Sequence, residues 1–306
     1  MTKKNISVEE IIGFLGSAVK SVEGQSLNRY IDHLADANHV DETTLDWVKT
    51  TNPDKQIITE QSQAKVILVD DEVVYSERMR LDGKTLIKVK DPKIALALVG
   101  NRYFVRKPAS GIHPTSIIDK DAFIGENVTI GAYCVIGKAT IGEGTIIDSN
   151  VRIYDDVLIG RDCNIKTGAV LGGAGFGFET DEEGNKFRFP QIGGLIIGDD
   201  VEIGANTCID RGALSDTVIG NHTKINNLCH IAHNNQIGRN VTITGCVNIS
   251  GSNIIDDNVW IAPNASVRGF IHLGEGCTLG MGAVATKNIP SGEIWVGNPA
   301  KCMKKK

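Results

Sequence analysis

The chain has 306 residues, a formal net charge of -5, and 34 glycines against only 5% aromatic residues. That balance argues against general affinity for nucleic acid, and no basic run precedes the terminal Lys304, Lys305 and Lys306. No stretch approaches a membrane span, and the opening MTKKNISVEEIIGFLG interrupts its apolar run with Glu9 and Glu10, which argues against a signal peptide.

Residues 1–107 read as a compact α/β domain. Val8–Val22 and Leu27–Leu34 are expected to be helices, and AKVILVDD (Ala64–Asp71) and TLIKVK (Thr85–Lys90) buried strands. Asp91-Pro92 starts a further helix, with Pro in its first turn, that runs to about Arg102. RKPASGIHP (Arg106–Pro114) reads as a hinge.

A different rule governs residues 108–291. From Ile225 to Leu279 an aliphatic residue occupies every sixth position, and Ile118 to Ile136, Ile153 to Leu171 and Ile197 to Ile209 keep the same beat. Such a period fits neither a helix nor an amphipathic strand. It predicts a mostly β fold, a parallel β-helix of triangular coils, in which residues 18 apart stack at strand spacing, roughly 4.8 Å. The beat breaks between Leu171 and Ile197, where Phe176, Phe178, Phe187 and Phe189 flank the turn TDEEGN, so residues 172–194 are expected to form a protruding hairpin. Residues 292–306 are expected to cap the last coil through VGNPAK.

Four of the seven cysteines, Cys134, Cys163, Cys229 and Cys277, stand two residues before a hexad aliphatic and share one inward or corner position. With no CxxC pair, they read as reduced, buried thiols of a cytoplasmic protein.

The densest polar cluster is INNLCHIAHNNQIG (Ile225–Gly238). His233 lies two residues past Ile231, where a side chain points outward, and an imidazole there can act as a general base at neutral pH. Eighteen residues on lies Gly251, whose backbone can approach a carbonyl closely enough to donate to an oxyanion. Together they make a minimal acyl-transfer site. His222, His230, His233 and His272 could instead be offered to zinc, but His230 precedes Ile231 and His233 follows it by two, so they form no matched pair and no metal is expected.

The runs GAGFGF, FPQIGGLIIGDDVEIGANTCIDRGALSDTVIG and IAHNNQIG, together with VKDPKIALA near the start, resemble the bacterial UDP-3-O-acylglucosamine N-acyltransferases of lipid A biosynthesis. The resemblance implies left-handed β-helices assembled as a homotrimer with sites between subunits, each with an N-terminal uridine-binding domain. His233 would deprotonate the sugar amine and Gly251 would hold the oxyanion. Phe176 and Phe178 would hold the nucleotide sugar, Trp47 would stack on uracil, and Asn52 would contact the base. No permanently bound cofactor is implied; the acyl group would arrive as a thioester of acyl carrier protein or coenzyme A. Departures are visible. Asn226 stands where the family has an Asp seven residues before its catalytic His, so its amide would have to orient the ring or another partner would be needed. Phe270 replaces the His of a Gly-His pair, Asp91 replaces Asn, and the VGNPAKCMKKK ending resembles acetyl-CoA-dependent sugar acetyltransferases. The implied functions are a long-chain N-acyltransferase on a UDP-linked amino sugar or an N-acetyltransferase for surface glycans; a non-catalytic nucleotide-sugar binder is the further alternative.

Overall fold

The computed structural model describes residues 5–24, 28–106 and 108–305, and the chain divides into units at 1–107 and 108–306.

In the first unit, Ser7 begins helix α1 (Val8–Leu15) with a reciprocal cap. Its hydroxyl accepts from the Glu10 N–H, and the Glu10 carboxylate accepts from the Ser7 N–H. The helix is shorter than the sequence suggests. Gly16, at φ 52, turns the chain, and Val19–Glu23 becomes a strand paired antiparallel with Thr85–Val89. The expected Leu27–Leu34 helix is also absent where it is described. Leu27 lies outside the described residues, and Tyr30–Ile31 pairs with Ile6–Ser7, burying Ile31 and leaving Tyr30 exposed. Apolar spacing was ambiguous over so short a stretch, and strand pairing decided it.

The two expected strands and the helix begun at Asp91-Pro92 are present. Val66–Val69 is buried at every residue because apolar clusters cover both faces of its sheet. Strand order runs Val19–Glu23, Thr85–Val89, Val66–Val69, Leu45–Trp47. Helix α2 spans Lys55–Gln61 and α3 spans Glu77–Leu81. Helix α4 (Pro92–Val99) starts at Asp91, whose carboxylate accepts from the Lys93 and Ile94 N–H groups, and continues as a wider turn through Phe104. Lys84 is buried with its ammonium on the carbonyls of Thr59, Glu60 and Ser62 at 2.9, 2.8 and 2.6 Å, so one nitrogen closes the C-terminal end of α2.

The second unit is a left-handed parallel β-helix with three sheets as its faces. Between Lys224 and Thr278 the ladder steps by 18 residues, Lys224 to Thr242 to Trp260 to Thr278. Hexad aliphatics such as Ile231, Ile243, Ile249 and Ile261 point inward and are fully buried, each worth about 1.5–3 kcal/mol of transfer free energy. Three residues before each such aliphatic the chain turns a corner through positive φ. Asn fills many of these positions (Asn234, Asn240, Asn258, Asn264), since its short amide tolerates that region. The cysteines Cys134, Cys163, Cys229 and Cys277 are buried at the matching inward position.

An early coil shortens the step to 17, as from Thr129 to Ile146, and two later coils lengthen it by insertion. Asn164 pairs with Glu202, 38 positions on, because the chain between them extrudes the expected hairpin, Phe178–Thr180 against Lys186–Arg188. Glu202 then pairs with Lys224, 22 positions on, which accommodates a second bulge of four residues around Arg211–Leu214. At the far end Glu293–Val296 pairs with Thr278–Leu279 and with Lys301–Lys305, while the Gly297 carbonyl and the Ala300 N–H engage the exposed edge of Val284.

Candidate active site

His233 follows the strand His230–Ile231 at the corner facing both insertions. Its ring is clamped between two glycines. A Cβ on Gly251 would lie 2.8 Å from the imidazole Cε1 and 3.1 Å from Nε2, and a Cβ on Gly175 would lie 2.7 Å from Cδ2. One glycine comes from the next coil and the other from the hairpin root, and either with a side chain would displace the ring.

Asn234 sets the tautomer. Its Nδ2 donates to the Ser215 carbonyl at 3.0 Å and the Ser215 hydroxyl at 2.9 Å, which fixes which way the amide faces. Its Oδ1 accepts from the Ala213 N–H at 3.0 Å and lies 2.9 Å from His233 Nδ1. An amide oxygen only accepts, so Nδ1 carries the proton and Nε2 keeps its lone pair. Asn234 thus ties the four-residue bulge to the imidazole, with its own N–H on the Thr217 hydroxyl at 2.8 Å.

Gly251 offers the complementary group. Its neighbours Ser250 and Ser252 donate their N–H groups to the Val267 and His233 carbonyls, while among the described residues no acceptor takes the Gly251 N–H. A lone pair and a free donor therefore sit one coil apart.

Asp210, in the sequence IDRGAL, is the charged group under this corner. Ile209 pairs with Ile231, so Asp210 stands opposite Ala232, one residue before His233. Its carboxylate is mostly buried, 3.9 Å from His230 Nε2. Burial pushes the Asp210 carboxyl above the usual carboxylate range, against the opposing pull of the His230 and His233 imidazoles.

The hairpin root is braced by Arg188. Its guanidinium donates to the Gly175 carbonyl at 3.0 Å and lies 4.7 Å from the centre of the Phe178 ring. Phe176 and Phe178 meet edge to face at 5.0 Å, with Phe176 85% exposed and therefore open to a ligand. Asn226 stands apart. Its side-chain oxygen accepts from the Asn227 N–H at 2.8 Å at the end of a strand on another face, and within one chain the ring's partner is Asn234. Phe270, at φ 61, takes the corner two coils beyond Asn234 and stands 83% exposed.

Trp47 and Asn52 belong to the first unit. Trp47 ends the edge strand Leu45–Trp47, half-buried against that unit's core. Asn52 lies in the following loop, its side-chain oxygen accepting from the Asp54 N–H at 2.9 Å. His222 and His272 pair with Asp200 and Asp256 at 2.9 and 2.7 Å on other parts of the prism.

The roles of Asp210, Asn234 and Gly175 did not emerge from sequence, although IDRGAL, IAHN and GAGFGF were conspicuous. Insertions of 20 and four residues take Gly175, Asp210 and the bulge that holds Asn234 out of the 18-residue arithmetic that located Gly251.

Comparison with known proteins agrees with this fold. Residues 254–287 match the family model described as bacterial transferase hexapeptide (six repeats), and residues 105–212 match the GMPPB C-terminal domain. UDP-3-O-acylglucosamine N-acyltransferase of Pseudomonas syringae pv. tomato is 40% identical over 68% of this chain and 66% of its own length. The Pseudomonas fluorescens relative of that name is 36% identical over 81% of this chain and 73% of its own. The aligned part spans as little as 53% of other relatives, such as that of Pseudomonas paraeruginosa. Among solved structures, LpxA of Acinetobacter baumannii superposes with a TM-score of 0.58 at 28% identity, covering 63% of this chain and 73% of that one. UDP-N-acetylglucosamine O-acyltransferase of Moraxella catarrhalis gives 0.57 at 29%, covering 63% and 74%. With repeat and sequence in accord, the chain belongs to the family of UDP-3-O-acylglucosamine N-acyltransferases.

Proposed function

We propose that the protein moves an acyl group from a thioester donor to the amine of a UDP-linked amino sugar, UDP-3-O-acylglucosamine, in lipid A biosynthesis. The observation that carries this reading is the pairing of a His233 Nε2 lone pair with an unengaged Gly251 N–H one coil away. Thioester aminolysis needs a base, an oxyanion donor and positioning, and the corner supplies all three.

In the reaction the sugar nitrogen attacks the thioester carbonyl while His233 takes its proton. The C–N bond forms, the carbonyl oxygen becomes an oxyanion held by the Gly251 N–H, and the C–S bond breaks as the oxyanion collapses. The departing thiolate recovers the proton from the imidazolium. Phe176 and Phe178 hold the nucleotide sugar, and Trp47 and Asn52 recognise the uracil. Asn226 has no place beside the ring in one chain, so any role for it requires a neighbouring subunit of the homotrimer. Seven free cysteines agree with a reducing, cytoplasmic setting. The donor is an acyl group on acyl carrier protein or coenzyme A.

The test is a single-turnover assay with UDP-3-O-acylglucosamine and each donor, followed by mass spectrometry of the product. An amide-linked acyl chain formed by wild type and lost in His233→Ala supports the reading. Equal turnover by both proteins overturns it.

A further inference from the structure

The corner leaves one electrostatic question open. When His233 takes the amine proton, its ring gains a positive charge, yet the partner on Nδ1 is the neutral amide of Asn234. Gly175, Gln191 and Gly251, which pack around the ring, are neutral as well. The charged groups nearby are Asp210 and His230 on the same face, and Arg188, which reaches the Gly175 carbonyl from the hairpin. Arg211 turns away, its guanidinium on the Asp155 carbonyl and 3.4 Å from the Asp156 carboxylate.

Of these groups among the described residues, Asp210 is the anion; Asp216, beside Ser215 in the bulge, is held instead by the Gly194 N–H at 2.7 Å. Asp210 is fixed in position by the ladder, opposite Ala232, and by the hairpin root, where Gly173 pairs with it and accepts from the Arg211 N–H at 2.9 Å. Its side chain is only 15% exposed, so solvent screens its field weakly. We propose that Asp210 is a positioning residue that supplies the negative charge for the His233 imidazolium, standing in for an anion directly on the ring. It acts through space and through the shared wall with His230, not by touching substrate. The inference rests on His233 being the base of the proposed reaction.

The experiment combines a kinetic and a spectroscopic readout on the full chain carrying Asp210→Asn. The amide keeps the shape and removes the charge. The expected result is a kcat about tenfold lower with the KM for the sugar unchanged, and an acid limb of the pH–rate profile moved about one unit toward lower pH. In NMR titrations of the labelled histidines, the His233 midpoint moves the same way. Asp210→Glu restores part of the rate, and Asp210→Ser reproduces the Asn result should the amide variant fold poorly. An acid limb and a His233 midpoint that stay where they are in the wild type overturn the proposal, as does a change confined to His230. The NMR arm needs no turnover, so it decides the role of Asp210 even if acyl transfer itself is not observed.

Discussion

The regular coils from Lys224 to Thr278 and the interrupted coils from Asn164 to Lys224 are built on one plan and serve opposite ends. In the regular stretch every ladder step is 18 residues and every hexad aliphatic is buried, and the result is a stable wall. In the interrupted stretch, steps of 38 and 22 residues eject a hairpin and a bulge at one corner, and those two ejections grip His233. A repeat supplies the wall, and departures from it make the crevice.

The sharpest way to break that division is His233→Ala. Activity is expected to fall by two orders of magnitude or more while the thermal midpoint stays within a few degrees, checked by turnover assay and calorimetry. A clear drop in melting temperature would mean that the corner also holds the wall together.

Next come the glycines of the clamp. Gly251→Ala puts a methyl group 2.8 Å from the ring and should cost about a hundredfold in kcat, since displacement of a base by a fraction of an ångström is expensive. Gly175→Ala should cost less, about tenfold, because the hairpin root can yield where a stacked coil cannot. Crystal structures of both variants would show a rotated imidazole in the first and a shifted hairpin in the second.

The regular wall should behave in the reverse sense. Ile243→Ala, in a fully buried hexad position, is expected to cost about 2–5 kcal/mol in denaturant unfolding and to leave kcat of the folded protein unchanged.

The smallest effect concerns Asp210. Its folded carboxyl binds a proton more readily than its ordinary value of 3.8 implies, so the native state holds more protons than the unfolded chain between that value and the raised one. Stability contributed at this position is therefore complete below about pH 4 and falls as pH rises through the window. Asp210→Asn should melt slightly higher than wild type at pH 7, with the difference vanishing in acid. Melting curves across pH would show it.

Much of this was readable in the residues. The six-residue beat located the sheets, the inward cysteines and the hairpin, and the 18-residue arithmetic brought His233 against Gly251. It failed where that arithmetic was interrupted. Asp210 comes under the corner, and the bulge that holds Asn234 meets it, across a 22-residue coil, while Gly175 arrives from a 38-residue one, and no period points to these meetings. Asn226 does not meet the ring within one chain for the opposite reason. Seven residues before His233 is close in sequence, but seven exceeds one hexad, so the chain has turned onto another face. In the first unit, apolar spacing could not separate helix from strand around Tyr30, and Gly16 ended a helix that had been expected to continue.

Lys84 carries one more consequence. Its amine is enclosed by three carbonyls, so a reagent that acylates lysines in water can reach it only when the first unit opens. The rate at which that single nitrogen is labelled, set against the exposed lysines of the same molecule, is a built-in clock for how often the unit breathes.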